Sequence, residues 1–238
     1  MTELNGNDLP ALPTPEEVRA RLEVLRSRIA AVGGDVDAVT VLAVTKGQPA
    51  AVVNLALAAG MSELGENYAQ ELVAKVAWAD VHLGVPSAAR WHFIGHLQRN
   101  KVRQLATHVW LWQSIDRASL LAEVARRAPG ARVLIQVNAT HEAQKAGCAP
   151  KETTALVQAA ERMGLEVLGL MTVGPSDETL DPRPGFELVR TMVDRLKLSI
   201  CSMGMTGDLE AAIQCGSTMV RVGTALFGPR SATAAVGD

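Results

Sequence analysis

The apolar positions of this chain follow two patterns that alternate along the sequence. Short, nearly continuous apolar runs alternate with segments in which apolar side chains recur every three or four residues. Runs of the first kind are typical of parallel strands that are buried on both faces, and the second spacing predicts amphipathic helices. Eight strands are predicted in this way, over residues 39–44, 62–65, 90–95, 109–113, 132–137, 165–171, 198–201 and 218–222. A clear helix is predicted after each strand except the last, among them one over residues 68–78 and one over residues 117–127 with Asp116 as its N-cap.

The regular alternation predicts one α/β domain, and eight units favour a closed, parallel (β/α) TIM-type barrel over an open sheet. An extra helix precedes the first strand, because residues 14–17 (TPEE) form a capping box with proline at the first helical position. This helix stands outside the barrel count and could cover the bottom of the barrel. The domain is predicted to span residues 14–230, with disorder at 1–13 and 231–238.

Composition and charge narrow the function classes. The chain has 238 residues and a net charge of −2, which argues against a protein built mainly to hold nucleic acid. No apolar run is long enough to span a bilayer, and the N-terminus lacks the basic and then apolar region of a signal peptide. A cytoplasmic location is therefore expected. Cys148, Cys201 and Cys215 have no disulfide or metal spacing, so reduced thiols and no metal are predicted.

In such barrels the chemistry lies at the C-terminal ends of the strands. Lys46 closes the first strand there, where desolvation favours the neutral amine that a Schiff-base lysine requires. Alternatively, Lys46 pairs with a loop carboxylate such as Glu66. Asn67 either contacts a ligand or caps the next helix, and His92 either contacts a ligand or is a satisfied histidine of the barrel interior.

The loops after the seventh and eighth strands are suited to an anion. Residues 202–208 (SMGMTGD) are small before a predicted helix, and this arrangement exposes backbone N–H groups. Asp208 is interpreted as the cap of that helix, since a second anion would repel phosphate. Gly223 permits close approach of the backbone, and Thr224 can donate from its hydroxyl and its N–H. Barrels commonly hold phosphate in these two loops, so together with Lys46 they predict a phosphate-bearing carbonyl ligand.

These segments resemble the pyridoxal 5′-phosphate (PLP) homeostasis protein family, the single-domain barrel relatives of the N-terminal domain of alanine racemase. The resemblance lies in residues 42–46 (LAVTK), 65–68 (GENY), 91–95 (WHFIG), 97–98 (LQ), 100–101 (NK), 136–138 (QVN), 169–172 (GLMT), 202–205 (SMGM) and 220–224 (VRVGT). The segments span nearly the whole chain in the family's order.

The resemblance implies that PLP is the cofactor, held as a Schiff base on Lys46, with Asn67 near the ring and Arg221 at the pyridine nitrogen. It also implies the remaining contacts, with phosphate held by Ser202, Gly204, Gly223 and Thr224, and with Met203 and His92 in the same site. Two departures from the family pattern are Thr206 in place of serine, which keeps the hydroxyl, and Gly47 after the lysine. Lys145 is either a second amine near the mouth or a solvated loop lysine.

The resemblance favours a carrier of PLP over an enzyme. A guanidinium at the pyridine nitrogen disfavours the pyridinium and weakens carbanion stabilisation. The resemblance to alanine racemase implies a two-base mechanism for racemisation, in which a tyrosine from a second domain is one of the bases. This chain is expected to lack that domain, and its one tyrosine, Tyr68, is expected to pack. The alternatives are a low-activity amino-acid racemase that uses Lys46 with water or His92, and a PLP-free Schiff-base aldolase. A monomer that delivers PLP to apo PLP-dependent enzymes is expected.

Overall fold

The computed structural model of the protein describes residues 12–83 and 89–229. The disorder predicted for residues 1–13 and 231–238 lies outside this range, apart from Leu12 and Pro13. Pro13 is buried directly before the first helix.

Eight parallel strands close into a barrel in chain order, as the sequence predicts. Each strand pairs with its successor, and the last strand pairs with the first through contacts such as Leu42 with Arg221. The strands are β1 (Thr40–Val44), β2 (Glu63–Glu66), β3 (Arg90–Phe93), β4 (Val109–Ile115), β5 (Arg132–Gln136), β6 (Glu166–Met171), β7 (Ile200–Ser202) and β8 (Met219–Val222). Their residues are mostly buried because the helices cover the outside of the barrel and side chains fill its inside.

The helices form the outer layer. They are α1 (Pro15–Ala31), α2 (Val52–Ala58), α3 (Ala69–Leu83), α4 (Arg99–Leu105), α5 (Ala118–Arg127), α6 (Thr153–Arg162), α7 (Arg183–Arg195), α8 (Leu209–Gln214) and α9 (Thr224–Phe227), with a 3-10 turn at Pro150–Glu152 before α6. Helix α3 continues beyond its predicted end at Trp78, and α9 is a single turn after β8, where no helix was predicted.

Helix α1 has the predicted capping box, in which the Thr14 hydroxyl accepts from the Glu17 N–H and the Glu17 carboxylate accepts from the Thr14 N–H. Its position corrects the expectation that it covers the bottom of the barrel. It packs against α2, α8 and α9 in the outer layer. Because α9 is only four residues long, α1 takes the place that a longer helix after β8 would occupy.

One predicted helix cap is wrong, and a second is confirmed in its position but makes no capping bond. Arg117, and not Asp116, is the N-cap residue of α5, and the Asp116 carboxylate instead pairs with the Arg117 guanidinium at 2.6 Å. Asp208 does stand at the N-cap of α8, but its side chain makes no capping bond there. Its carboxylate accepts from the Met205 N–H at 2.5 Å and closes the turn before the helix.

The remaining expectations concern thiols, metals and membranes. Cys148, Cys201 and Cys215 are unpaired, and burial raises the pKa of Cys201 to about 12. Within residues 12–83 and 89–229, no cluster of side chains could hold a metal ion. Over the same residues, every helix is too short or too polar to cross a membrane.

Candidate functional site at the mouth of the barrel

A cavity of about 440 Å³ lies at the C-terminal ends of the strands. Its volume is in the range of small-molecule binding sites. It is lined by Val44, Lys46, Gln48, Asn67, Ile94, Met171, Val173, Glu178, Met205, Thr206, Gly207, Arg221, Gly223 and Thr224. The structure thus places the cavity where the barrel architecture predicts chemistry.

Five of the nine predicted site residues line this cavity, namely Lys46, Asn67, Arg221, Gly223 and Thr224. The other four, His92, Ser202, Met203 and Gly204, are buried and are absent from its lining.

The loop after β7 explains part of this difference. Gly204 has a φ of +93°, a left-handed conformation that turns the chain, and its carbonyl accepts from the Arg221 N–H at 2.9 Å. The residues after the turn, Met205, Thr206 and Gly207, therefore reach the cavity, whereas Ser202 and Met203 stay in the barrel. The hydroxyl of Thr206, noted above as a departure from the family pattern, was the available signal.

An ionic network of Lys75, Glu66 and Glu71 contacts the backbone on both sides of Lys46. The Lys75 ammonium donates to Glu66 Oε1 at 2.5 Å, to the Thr45 carbonyl at 2.6 Å and to Glu71 Oε2 at 3.0 Å. The Thr45 hydroxyl also donates to Glu66 Oε1, at 2.6 Å. The carboxylate that was the candidate partner of Lys46 is therefore engaged by Lys75 and Thr45.

The network also holds the residue after Lys46. The Gly47 N–H donates to Glu71 Oε2 at 2.8 Å, and Gly47 has a φ of +67°. A glycine suits this left-handed conformation. The backbone on both sides of Lys46 is therefore hydrogen-bonded to this network, through the Thr45 carbonyl and the Gly47 N–H.

Arg221 is 5% exposed and reaches the cavity from β8. One of its terminal nitrogens, Nη1, donates to the carbonyl and the hydroxyl of Ser202 at 2.9 and 3.0 Å, and the other, Nη2, donates to the Thr172 carbonyl at 2.8 Å. Burial lowers the pKa of Arg221 to about 10, so the group stays cationic at neutral pH. No ion pair within the described residues neutralises it, so an anionic ligand would be favoured here.

Asn67 is a second cavity residue with a polar group that a ligand could contact. Its Oδ1 is buried and accepts no hydrogen bond from the described residues, so it does not cap α3. Gly95 allows the Asn67 backbone to lie this close to the end of β3, because a Cβ at Gly95 would come within 2.0 Å of the Asn67 carbonyl oxygen. A buried acceptor without a donor is costly, and a ligand in the cavity could satisfy it.

Of the two alternatives for His92, the structure shows a histidine of the barrel interior whose two ring nitrogens both have hydrogen-bond partners. Its Nε2 lies 2.6 Å from Glu63 Oε2, and its Nδ1 lies 2.7 Å from the amide nitrogen of Gln113. Burial lowers the pKa of His92, and this favours the neutral ring.

Two further residues complete the comparison with the sequence. Lys145 pairs with Glu142 at 2.8 Å and donates to the Gly174 carbonyl, so it is anchored rather than solvated. Tyr68 is 50% exposed, which corrects the expectation that it packs.

The matches to known proteins agree with this architecture. Residues 16–231 match the family model of the alanine racemase N-terminal domain. The pyridoxal phosphate homeostasis protein of Pseudomonas aeruginosa is 41% identical over 215 residues, which cover 87% of this chain and 91% of that protein. The protein of the same name from Escherichia coli strain K12 is 37% identical over 227 residues, covering 90% and 94%.

Solved structures show the same fold. PipY of Synechococcus elongatus with PLP bound superposes with a TM-score of 0.76 at 30% identity, covering 89% of this chain and all of that one. An alanine racemase from Clostridium difficile is similar in fold alone, with a TM-score of 0.69 at 11% identity over 59% of its length. From the matched residues and the level of identity, the chain belongs to the pyridoxal phosphate homeostasis protein family.

Proposed function

We propose that this protein binds PLP in the mouth cavity through a Schiff base on Lys46 and serves PLP homeostasis by holding and delivering the cofactor. The observation that carries this proposal is the buried Arg221 guanidinium, which shares one cavity with the Lys46 amine and has no described carboxylate partner. PLP combines the groups that such a cavity suits: an aldehyde that condenses with an amine, a ring nitrogen that accepts from a buried cation, and a phosphate for the loops after β7 and β8. The names of the bacterial relatives and the PLP-bound PipY structure support it.

The lining residues suggest how the cofactor is held. We assign the phosphate to the loops after β7 and β8, with the hydroxyls of Thr206 and Thr224 and the backbone of Gly207 and Gly223. Ser202, Met203 and Gly204 then act from beneath as supports of the loop and of Arg221. The unpartnered Oδ1 of Asn67 is the acceptor available at the ring.

The electrostatics favour holding over catalysis. Bound PLP supplies an aldehyde and an electron-withdrawing ring, and the ring is a strong sink only when its nitrogen is protonated. Arg221, with a pKa of about 10, keeps its own proton at neutral pH and would donate a hydrogen bond to that nitrogen rather than protonate it. Among the described lining residues there is no tyrosine or histidine to serve as a second base, and His92 is bound to Glu63.

The racemase alternative therefore has no side-chain second base among the described lining residues and would depend on water. The aldolase alternative would have to use Glu178, the single carboxylate among those residues. We further propose a cytoplasmic monomer that transfers PLP to apo PLP-dependent enzymes.

The test combines binding with transfer. Purified protein is titrated with PLP and followed by visible absorbance, and it is then mixed with an apo PLP-dependent enzyme whose recovered activity reports delivery. We expect a yellow protein that reactivates the apo-enzyme faster than the same amount of free PLP. Lys46→Ala should lose the visible absorbance, whereas the exposed Lys151→Ala should retain it.

Two results would contradict the proposal. A colourless protein that takes up no PLP removes the binding, and delivery no faster than from free PLP removes the carrier role. Solvent deuterium appearing at the α-carbon of an added amino acid would instead favour the racemase.

A further inference from the structure

The polar groups inside the barrel form one continuous chain of hydrogen bonds that starts at Arg221. Its links are Arg221 Nη1 to Ser202 Oγ at 3.0 Å, Ser202 Oγ to Gln113 Oε1 at 2.7 Å, Gln113 Nε2 to His92 Nδ1 at 2.7 Å, and His92 Nε2 to Glu63 Oε2 at 2.6 Å. Ser202 ends β7 and Gln113 lies in β4, so their bond crosses the barrel interior. Glu63 is the first residue of β2, at the opposite end from the cavity.

Arg221 and Glu63, the two ends of the hydrogen-bond chain, determine which atom is the donor and which the acceptor in every bond between them. A guanidinium only donates, and a carboxylate only accepts. Glu63 therefore requires a proton on His92 Nε2, and a neutral His92 then has its lone pair on Nδ1. That lone pair requires the amide NH₂ of Gln113, so the carbonyl of Gln113 faces Ser202.

The direction decides what Ser202 offers to Arg221. Because the Ser202 proton goes to Gln113, the lone pairs of the hydroxyl remain for the guanidinium. The other described acceptors of Arg221 are the carbonyls of Ser202 and Thr172, whose polarity cannot change. The Ser202 hydroxyl is thus the one acceptor that the rest of the chain controls.

We propose that Glu63, His92, Gln113 and Ser202 are positioning residues, which hold the Arg221 guanidinium in the orientation that faces PLP and so couple the far end of the barrel to the cofactor. The part of this inference that concerns PLP rests on the proposed function. It gives a role to His92 and Ser202, which the sequence singles out but the cavity does not include.

Reversal of the donors and acceptors along the hydrogen-bond chain shows how Glu63, at the far end of the barrel from the cavity, affects Arg221. Without an acceptor at position 63, His92 can carry its proton on Nδ1, which faces the amide of Gln113. Gln113 then turns its NH₂ toward Ser202, and the serine proton loses the acceptor that it has in the structure. Gln113 and Arg221 now share the lone pairs of one hydroxyl whose own proton has lost its acceptor, so the bond from Ser202 to the guanidinium weakens while the two carbonyl contacts remain.

The test uses two variants of one residue and a matched neighbour. Glu63→Leu removes the acceptor, and Glu63→Gln keeps an amide oxygen that can accept from His92. Arg90→Met removes the other described partner of Glu63, at 2.8 Å on Oε1, and leaves every link of the hydrogen-bond chain in place. The first readout is nitrogen-15 NMR of histidine-labelled protein without PLP, which identifies the protonated ring nitrogen. The second is the dissociation constant for PLP.

In the wild-type protein, we expect a neutral His92 with its proton on Nε2, and we expect Glu63→Gln and Arg90→Met to keep that state. Glu63→Leu should shift the proton to Nδ1 and weaken PLP binding about tenfold, the order expected when a hydrogen bond to a charged group is lost. Mere destabilisation of the fold would not move the proton between the ring nitrogens and would not be rescued by glutamine.

The outcomes separate this inference from the proposed function. A wild-type His92 that is protonated on Nδ1, or on both nitrogens, overturns the fixed direction and needs no variant to show it. Equal PLP affinity in wild type and folded Glu63→Leu overturns the coupling and leaves PLP binding intact. Failure of the wild type to bind PLP overturns the proposed function, while the NMR result still decides the direction of the chain.

Discussion

Loss of the Lys75 ammonium should strongly destabilise the protein, because it is the counter-charge of a buried carboxylate. Its side chain is 4% exposed, and that of its partner Glu66 is fully buried. Lys75→Met keeps much of the aliphatic length but leaves Glu66 without its counter-charge, and it also removes donors to Thr45 and Glu71. Breaking a buried ion pair by removing one partner costs about 3–5 kcal/mol. Since small domains have about 5–15 kcal/mol of stability in total, the loss should be large.

The loss should depend on pH in a defined direction. Burial raises the folded-state pKa of Glu66, and the charge and hydrogen bond of Lys75 act against that rise. Without Lys75 the folded-state pKa rises further above the unfolded value of about 4.3. A carboxyl group of this kind is best tolerated below its unfolded pKa, and the stability it permits is lost as pH rises through the folded pKa. The variant should therefore be closest to wild type in mild acid and furthest from it above neutral pH.

Denaturant unfolding at several pH values measures the difference. Arg28→Met is the control, because Arg28 pairs with Glu210 at 2.7 Å with both side chains partly exposed, so a loss of at most about 1 kcal/mol is expected. The double variant Lys75→Met with Glu66→Leu should recover much of the stability, since no unpaired buried charge remains. A loss below about 1 kcal/mol for Lys75→Met at neutral pH, or one independent of pH, would refute the reasoning.

Three further predictions concern the substitution of Gly47, the substitution of Thr206 and the reactivity of the cysteines. Gly47→Ala should cost about 1–2 kcal/mol of unfolding free energy, because a Cβ is unfavourable at a φ of +67°, and an unchanged denaturation midpoint would contradict this. Thr206→Ala should weaken PLP binding by about tenfold through loss of the hydroxyl, with Thr206→Ser restoring it, and equal affinities in equilibrium dialysis would remove Thr206 from the phosphate site. A thiol reagent in the folded protein should modify Cys215 well before Cys201, whose pKa burial raises to about 12, and mass spectrometry of the labelled peptides would expose the opposite order.

The strands and the barrel could be predicted because burial on both faces leaves a simple mark on the sequence. The run before Lys46 and the run ending at Arg221 are apolar for this reason, and the eight units determine the closure. The cap of α1 was equally local, since Thr14 and Glu17 are three residues apart. By contrast, the Asp208 carboxylate could accept from the N–H groups of the helix after it or of the turn before it. In the structure it accepts from the Met205 N–H in the turn and makes no capping bond to the helix.

The finer contents of the site depend on contacts that sequence spacing does not record. Ser202 and Thr206 both carry hydroxyls beside the β7 loop, and only the backbone turn at Gly204 decides which one reaches the cavity. Lys75 gives no sign in a helical pattern that it is buried, because its partners come from β2 and from the end of β1. His92 could be assigned to the interior only once its partners were known.

The covalent attachment of PLP to Lys46 is the central claim, and borohydride reduction tests it most directly. Protein incubated with PLP is reduced, digested and mapped by mass spectrometry, with unreduced protein and Lys46→Ala as controls. We expect the reduced pyridoxyl label on the peptide that contains Lys46, and its loss in the variant. A label confined to Lys145 or to exposed lysines, or no covalent label on a protein that binds PLP, would contradict the account.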